Sequence, residues 1–344
     1  MKSSRDSVAP FLAPPRSDIL LRVKDLSVDF HTSSGVVRGI EKVSFDLRKG
    51  QVLGLVGESG SGKSVTALSL LRLMPEEVAE LTEGQILLDG VDLVGLTERE
   101  MRGIRGRDIG MIFQDPMTSL NPLMKIGAQV AEPLRFHLGM TRHAAMRRAG
   151  ELLDLVGIKD PVRRLDQYPH ELSGGMRQRV LIATAIACEP RLLIADEPTT
   201  ALDVTTQAQI LDLLQKLRDD MGVAIILITH DLGVVAEFAD DVQVMYAGRP
   251  VERAPVGHIF ENPAHPYTQG LLRSIPRFDI AADRLTSIDG SVPSPLAMPP
   301  GCPFLPRCDK GHPDCSQRVP PFRAVSPERN VACLYPLTEG SARL

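Results

Sequence analysis

Apolar residues along this chain fall into two rhythms. Short uninterrupted runs such as Val52-Leu53-Gly54-Leu55-Val56, Leu192-Leu193-Ile194-Ala195 and Ala224-Ile225-Ile226-Leu227-Ile228 have strand length and predict buried strands. The segment from Leu20 to Phe30 alternates instead, as in a strand of an antiparallel sheet. Together these patterns predict strands over 19–30, 43–57, 85–89, 109–114, 192–196 and 224–230. Residues 128–136, 142–156 and 207–217 carry apolar positions at helical spacing. Strands interleaved with helices predict an α/β core. The helical stretch between Gln114 and Ser173 predicts a lobe of its own, about 115–172.

The pattern ends near residue 251. Thirteen prolines follow between Pro255 and Pro321, which excludes a long regular helix or a central strand there. The chain therefore divides into a disordered arm over 1–18, an α/β unit over 19–250 and a Pro-rich extension over 251–344. With 344 residues, 43% of them hydrophobic, it is too large for a small binding module. A net charge of −4 gives no global positive field for nucleic acid. No apolar run approaches the roughly 20 residues that span a bilayer, so any membrane role requires docking on other subunits.

The first predicted buried strand runs into Gly57-Glu58-Ser59-Gly60-Ser61-Gly62-Lys63-Ser64 and then into the helical pattern beginning at Val65. Glycines let the backbone turn tightly and bring its N–H groups to a phosphate, and the following helix directs the positive end of its dipole at the same anion. This GxxxxGKS spacing makes Ser59, Gly60, Ser61, Gly62, Lys63, Ser64 and Val65 candidate nucleotide contacts, with Lys63 reaching the phosphates and Ser64 coordinating Mg²⁺. Further on, Leu192–Ala195 ends in Asp196-Glu197. Asp196 suits Mg²⁺ held through water, and Glu197 suits the water that attacks the γ-phosphate. Between the two motifs, Ser173-Gly174-Gly175 opens the apolar helix from Val180, a second anion-binding terminus. One nucleotide does not readily occupy both termini within one chain, which points to a site shared by two subunits.

This order of motifs resembles the nucleotide-binding subunits of ATP-binding cassette (ABC) transporters over about residues 19–250. The resemblance implies a P-loop core of RecA type with an antiparallel β-subdomain and a helical subdomain. It implies that Ser173, Gly174 and Gly175 contact a nucleotide held by a partner's P-loop, with Met176 where the family usually has glutamine. Gln114 matches the Q-loop residue that touches Mg²⁺ or the lytic water, Ala201-Leu202-Asp203 the D-loop, and His230 the switch histidine. Phe30 stands where the family often puts an adenine-stacking aromatic; its neighbour His31 and a plain core phenylalanine are the alternatives.

Cys302, Cys308, Cys315 and Cys333, four of five cysteines, fall within the Pro-rich extension. Clustered thiols in a loop region with little core argue for Zn²⁺ or an iron–sulfur cluster, with His312 spare, and spacing does not choose between them. His265-Pro266-Tyr267-Thr268-Gln269-Gly270-Leu271-Leu272 and the segment after it resemble the C-terminal extension of dipeptide and oligopeptide permease ATP-binding subunits. That branch implies a [4Fe–4S] cluster on the four cysteines, with Zn²⁺ as the rival. It further implies ATP and Mg²⁺ as cofactors, two transmembrane permease subunits, a second ATP-binding subunit and an extracytoplasmic solute-binding protein. The expected role is an ATPase at the cytoplasmic face of the membrane that powers uptake of di- or oligopeptides. Import of nickel, glutathione or another small solute is the alternative; a soluble non-transport ABC protein fits less well.

Overall fold

The computed structural model describes residues 18–75, 77–200, 202–275 and 288–338. The arm expected over 1–18 falls, but for Asp18, outside them, as does Ala201. Twelve strands are seen among the described residues: β1 (Ile19–Thr32), β2 (Gly35–Arg48), β3 (Val52–Val56), β4 (Ala79–Leu88), β5 (Val91–Asp92), β6 (Ile109–Ile112), β7 (Leu192–Asp196), β8 (Ala224–Ile228), β9 (Asp241–Tyr246), β10 (Arg249–Pro255), β11 (Arg323–Ser326) and β12 (Arg329–Val331). They form an antiparallel sheet ordered β2-β1-β4-β5 and a larger sheet ordered β11-β12-β10-β9-β3-β8-β7-β6. Within the larger sheet, β9, β3, β8, β7 and β6 run parallel, and β10, β12 and β11 are added antiparallel.

Every residue of β3, β7 and β8 is buried, because both faces of the sheet are covered. Period-two alternation then sorts their side chains. Leu53, Leu55, Leu192, Ile194, Ile226 and Ile228 pack with the antiparallel sheet, whereas Val52, Val56, Leu193, Ile225 and Leu227 pack toward the helices. The helices Ile126–His137 and Arg142–Leu155 pack on each other and on Gly174–Ala185, giving the helical lobe between Gln114 and Ser173.

Two expectations fail here. The strand expected over 43–57 is two strands in two sheets, because Gly50 takes φ +65° and turns the chain between Arg48 and Val52. The Pro-rich extension is also not barred from the sheet. Pro250 and Pro255 sit near the ends of β10, leaving Glu252 and Arg253 between them free to pair with Val331 and Asn330 of β12. The extension thus shares the main sheet. Its Tyr267 and Phe304 pack on Tyr246 of the cassette, with ring centroids 4.6, 5.3 and 5.4 Å apart, and so join the cassette's core rather than forming one of their own. The carboxylate of Glu252, fully buried, accepts hydrogen bonds from the backbone N–H groups of Ala264 (2.8 Å) and His265 (2.9 Å), which anchors the helix Pro266–Arg273.

Candidate nucleotide site

β3 delivers the chain into a loop in which Gly57, Gly60 and Gly62 all have positive φ. A Cβ on Gly57 would meet the Met245 carbonyl oxygen at 2.2 Å, so the loop closes only on glycine. The helix Lys63–Leu70 starts at Gly62 with no side-chain cap, leaving its first N–H groups directed into the pocket mouth. Lys63 Nζ arches back to donate to the carbonyls of Gly57 (2.7 Å) and Glu58 (3.0 Å). Burial pushes the Lys63 pKa down, and the carboxylates of Glu197, Asp196 and Glu58 oppose that shift.

Ser64 Oγ donates to Asp196 Oδ1 at 3.2 Å, so two hard oxygen donors, one from the first turn of the helix and one from the end of β7, meet at the loop, a donor set that suits Mg²⁺. Burial raises the Asp196 pKa; the Ser64 hydrogen bond works against it. Beside them Glu197 adopts φ +47°, uncommon for a non-glycine residue, and its N–H is held by the Ile228 carbonyl (2.9 Å). Its carboxylate accepts from Gln114 Nε2 (3.0 Å) and Thr200 Oγ1 (2.8 Å), with His230 Nδ1 3.5 Å away. Thr200 was not foreseen; its place three residues after Glu197 was the available signal.

Ser59–Val65, Gln114, Glu197 and Phe30 border a cavity of about 500 Å³, with Asp196, Thr200 and His230 behind its lining. Phe30 is in the wall, pressed on Gly39, where a Cβ would lie 2.3 Å from the ring. His31 faces elsewhere and meets Glu80 at 3.1 Å. Ser173, Gly174, Gly175 and Asp203 do not border this cavity. Ser173 caps the helix Gly174–Ala185, accepting from Met176 N–H, and Asp203 caps the helix Val204–Met221 through Thr206. Gly174 lies against Leu202 of the D-loop and Gly175 against Thr206, so Ser173-Gly174-Gly175, the signature loop, adjoins the D-loop.

The extension also reaches the P-loop. Tyr267 Oη accepts from the Glu58 N–H (2.9 Å), and Arg307 pairs with the Glu58 carboxylate. Neither contact was expected from sequence. Cys302, Cys308, Cys315 and Cys333 line one small cavity of about 20 Å³, and all carry free thiols. Burial raises the pKa of Cys302 and Cys308 and pushes that of Cys333 up to about 11. The expected metal site is nonetheless not met as such: among the described residues, no group of three or more His, Cys, Asp or Glu is placed to hold a metal ion.

Fold and site together define a P-loop nucleotide-binding cassette with a C-terminal addition. The ABC transporter family profile matches residues 40–200, and that of the oligopeptide/dipeptide transporter C-terminal region matches residues 251–315. The chain is 54% identical over 301 residues to a Brucella abortus (strain 2308) protein named for peptide import and ATP binding, covering 88% of this chain and 90% of that one. It is 52% identical over 314 residues to the dipeptide transport ATP-binding protein DppD of Bacillus subtilis (strain 168), covering 91% and 94%. Among solved structures, the ADP- and Pi-bound dimer of the cassette MJ0796 matches with a TM-score of 0.62 at 29% identity, over 69% of this chain and 98% of that one. CbiO1 of Clostridium perfringens matches with a TM-score of 0.60 at 26% identity, over 72% and 92%. The chain belongs to the ABC transporter family of ATPases, in the oligopeptide/dipeptide branch.

Proposed function

We propose that this chain hydrolyses ATP for a membrane importer of di- and oligopeptides. The observation that carries the reading is Glu197, fixed by Gln114 and Thr200 beside the Ser64–Asp196 pair at the floor of the P-loop cavity. In this reading Lys63 and the N–H groups from Ser59 to Val65 hold the phosphates, while Ser64, Asp196 and Gln114 hold Mg²⁺, which neutralises phosphate charge. Glu197 accepts a proton from the water that attacks the γ-phosphorus, the bond to the ADP oxygen breaks, and His230 steadies the γ-phosphate.

Ser173, Gly174, Gly175 and Asp203 act across a dimer on the nucleotide of a second ATP-binding subunit, since they do not border the chain's own cavity. Two permease subunits dock on the helical lobe near 115–172, whose exposed Met117, Leu123 and Val162 supply apolar contacts. A solute-binding protein delivers peptide from outside, and the cassette works peripherally on the cytoplasmic face. No helix among the described residues is long and apolar enough to cross a membrane. The functional units are a cassette over 19–250 and an extension over 251–344, joined through β10.

The four extension cysteines form the second part of the proposal: as thiolates they would bind a [4Fe–4S] cluster, or Zn²⁺ as the rival. Their sharing of one cavity supports this. The central test is uptake by vesicles holding the assembled transporter. ATP-dependent accumulation of peptide supports the proposal, uptake of nickel or glutathione alone redirects the substrate, and absence of ATP-driven uptake overturns it.

A further inference from the structure

One end of the nucleotide cavity is unexplained by the cassette. Its phosphate end is built from the P-loop, Gln114 and Glu197, as described. At the opposite end Phe30 and Val37 face a wall that comes from the extension: Val292, Pro293, Pro295 and Met298. The turn Pro295–Ala297 packs on β2, the strand that also carries Gly39 beneath the Phe30 ring. Met298, a large apolar side chain that remains 37% exposed, borders the cavity here.

We infer that Val292–Met298 is the base-side wall of the nucleotide site, so that a purine is held between Phe30 and the Pro295–Met298 face; the inference rests on the ATP-site reading above. The chemistry of the wall favours a neutral aromatic ring. Proline and methionine offer apolar, polarisable surface to a π face. The nearest guanidinium, Arg38, is committed to the carboxylate of Asp29. Prolines at 293 and 295 fix φ, and Ala297 N–H bonds the Ser294 carbonyl (2.9 Å), so the wall is stiff before ligand arrives.

Its position is set relative to the phosphates by one side chain. Arg307 donates to the carbonyls of Asp289 (2.9 Å) and Ile288 (3.1 Å) at the entry to the wall, and to the carboxylate of Glu58 (2.7 and 3.0 Å) in the P-loop. A single guanidinium thus spaces the base wall from the phosphate cradle. A ligand long enough to touch both, a purine nucleoside triphosphate, gains over its parts.

The test is calorimetric titration of the full-length chain with Mg-ATP and with magnesium tripolyphosphate, which lacks a base. Met298→Ala should weaken ATP about tenfold, the lower part of the range for losing one base-stacking partner, and leave tripolyphosphate affinity unchanged. Met298→Leu, which keeps apolar bulk, should recover most of the loss, separating contact from misfolding. Equal ATP affinity in wild type and Met298→Ala overturns the wall, as does a parallel loss of tripolyphosphate binding. If wild type binds neither probe, the nucleotide-site reading itself has failed; if it binds both equally, only the base wall has.

Discussion

Arg307 grips Glu58 across 249 positions of sequence, through parallel hydrogen bonds of 2.7 and 3.0 Å. The Arg307 side chain is only 4% exposed, and Tyr246 lies under its guanidinium with the ring centroid 5.9 Å away. A planar fork on a carboxylate fixes orientation as well as distance, so the extension holds the P-loop in one conformation. Cys308, which lines the thiol cavity, follows Arg307 directly, so a single peptide unit separates that cavity from the residue that grips the P-loop.

Arg307→Met should therefore loosen the P-loop and weaken ATP binding by roughly 5- to 30-fold, corresponding to about 1–2 kcal/mol, near the contribution of a charge-assisted hydrogen bond. Arg307→Lys should not restore it, since an ammonium cannot make the paired contact. A double-mutant cycle with Glu58→Gln gives the coupling directly. Additive losses would mean that the two residues act separately.

Ser173→Arg should leave ATP binding to the isolated chain largely intact and abolish ATP-driven dimer closure. A side chain of that size fills the space where the partner's γ-phosphate is expected. Size-exclusion measurement with ATP under non-hydrolysing conditions reads this out. Normal dimerisation of the variant would remove the signature loop from the shared site.

For the cysteines, protein purified without oxygen should contain iron and sulfide in near-equal amounts, and Cys308→Ser should lose both. Stoichiometric zinc without sulfide would identify a tetrahedral thiolate site instead. Metal-free protein of full stability would leave the four thiols as packing residues, and the aromatic trio of Tyr246, Tyr267 and Phe304 as the main support of the extension.

Much of the cassette was readable in the sequence because its signals are local. The runs of β3, β7 and β8, apolar but for Gly54 and for Asp196 at the end of β7, read as buried strands, and the Ser64–Asp196 and Gln114–Glu197 contacts join motifs whose spacing already carries the chemistry. Gly50 was harder: one glycine among the polar residues Arg48, Lys49 and Gln51, between two apolar-patterned segments, does not announce that the chain changes sheets there. β9 alternates Val242, Val244 and Tyr246 and was legible but passed over, whereas β10 was hidden by Pro250, Pro255 and its charged Glu252 and Arg253, and β11 and β12 are too short to show a period; their pairing joins residues as distant as Glu252 and Val331. The Arg307–Glu58 pair and the Val292–Met298 wall had no periodicity to read. Both exist only through tertiary contact with the P-loop unit.

The central claim is that this chain hydrolyses ATP with Glu197 as the proton acceptor at the P-loop cavity. ATP turnover by the assembled transporter, compared between wild type and Glu197→Gln, tests it most directly. The amide keeps the shape and the Gln114 and Thr200 neighbours but cannot take the proton. Turnover should fall by roughly 10²- to 10⁴-fold while ATP binding persists and nucleotide-locked dimers accumulate, whereas Lys63→Ala should weaken binding itself. Wild-type turnover in Glu197→Gln would contradict the account.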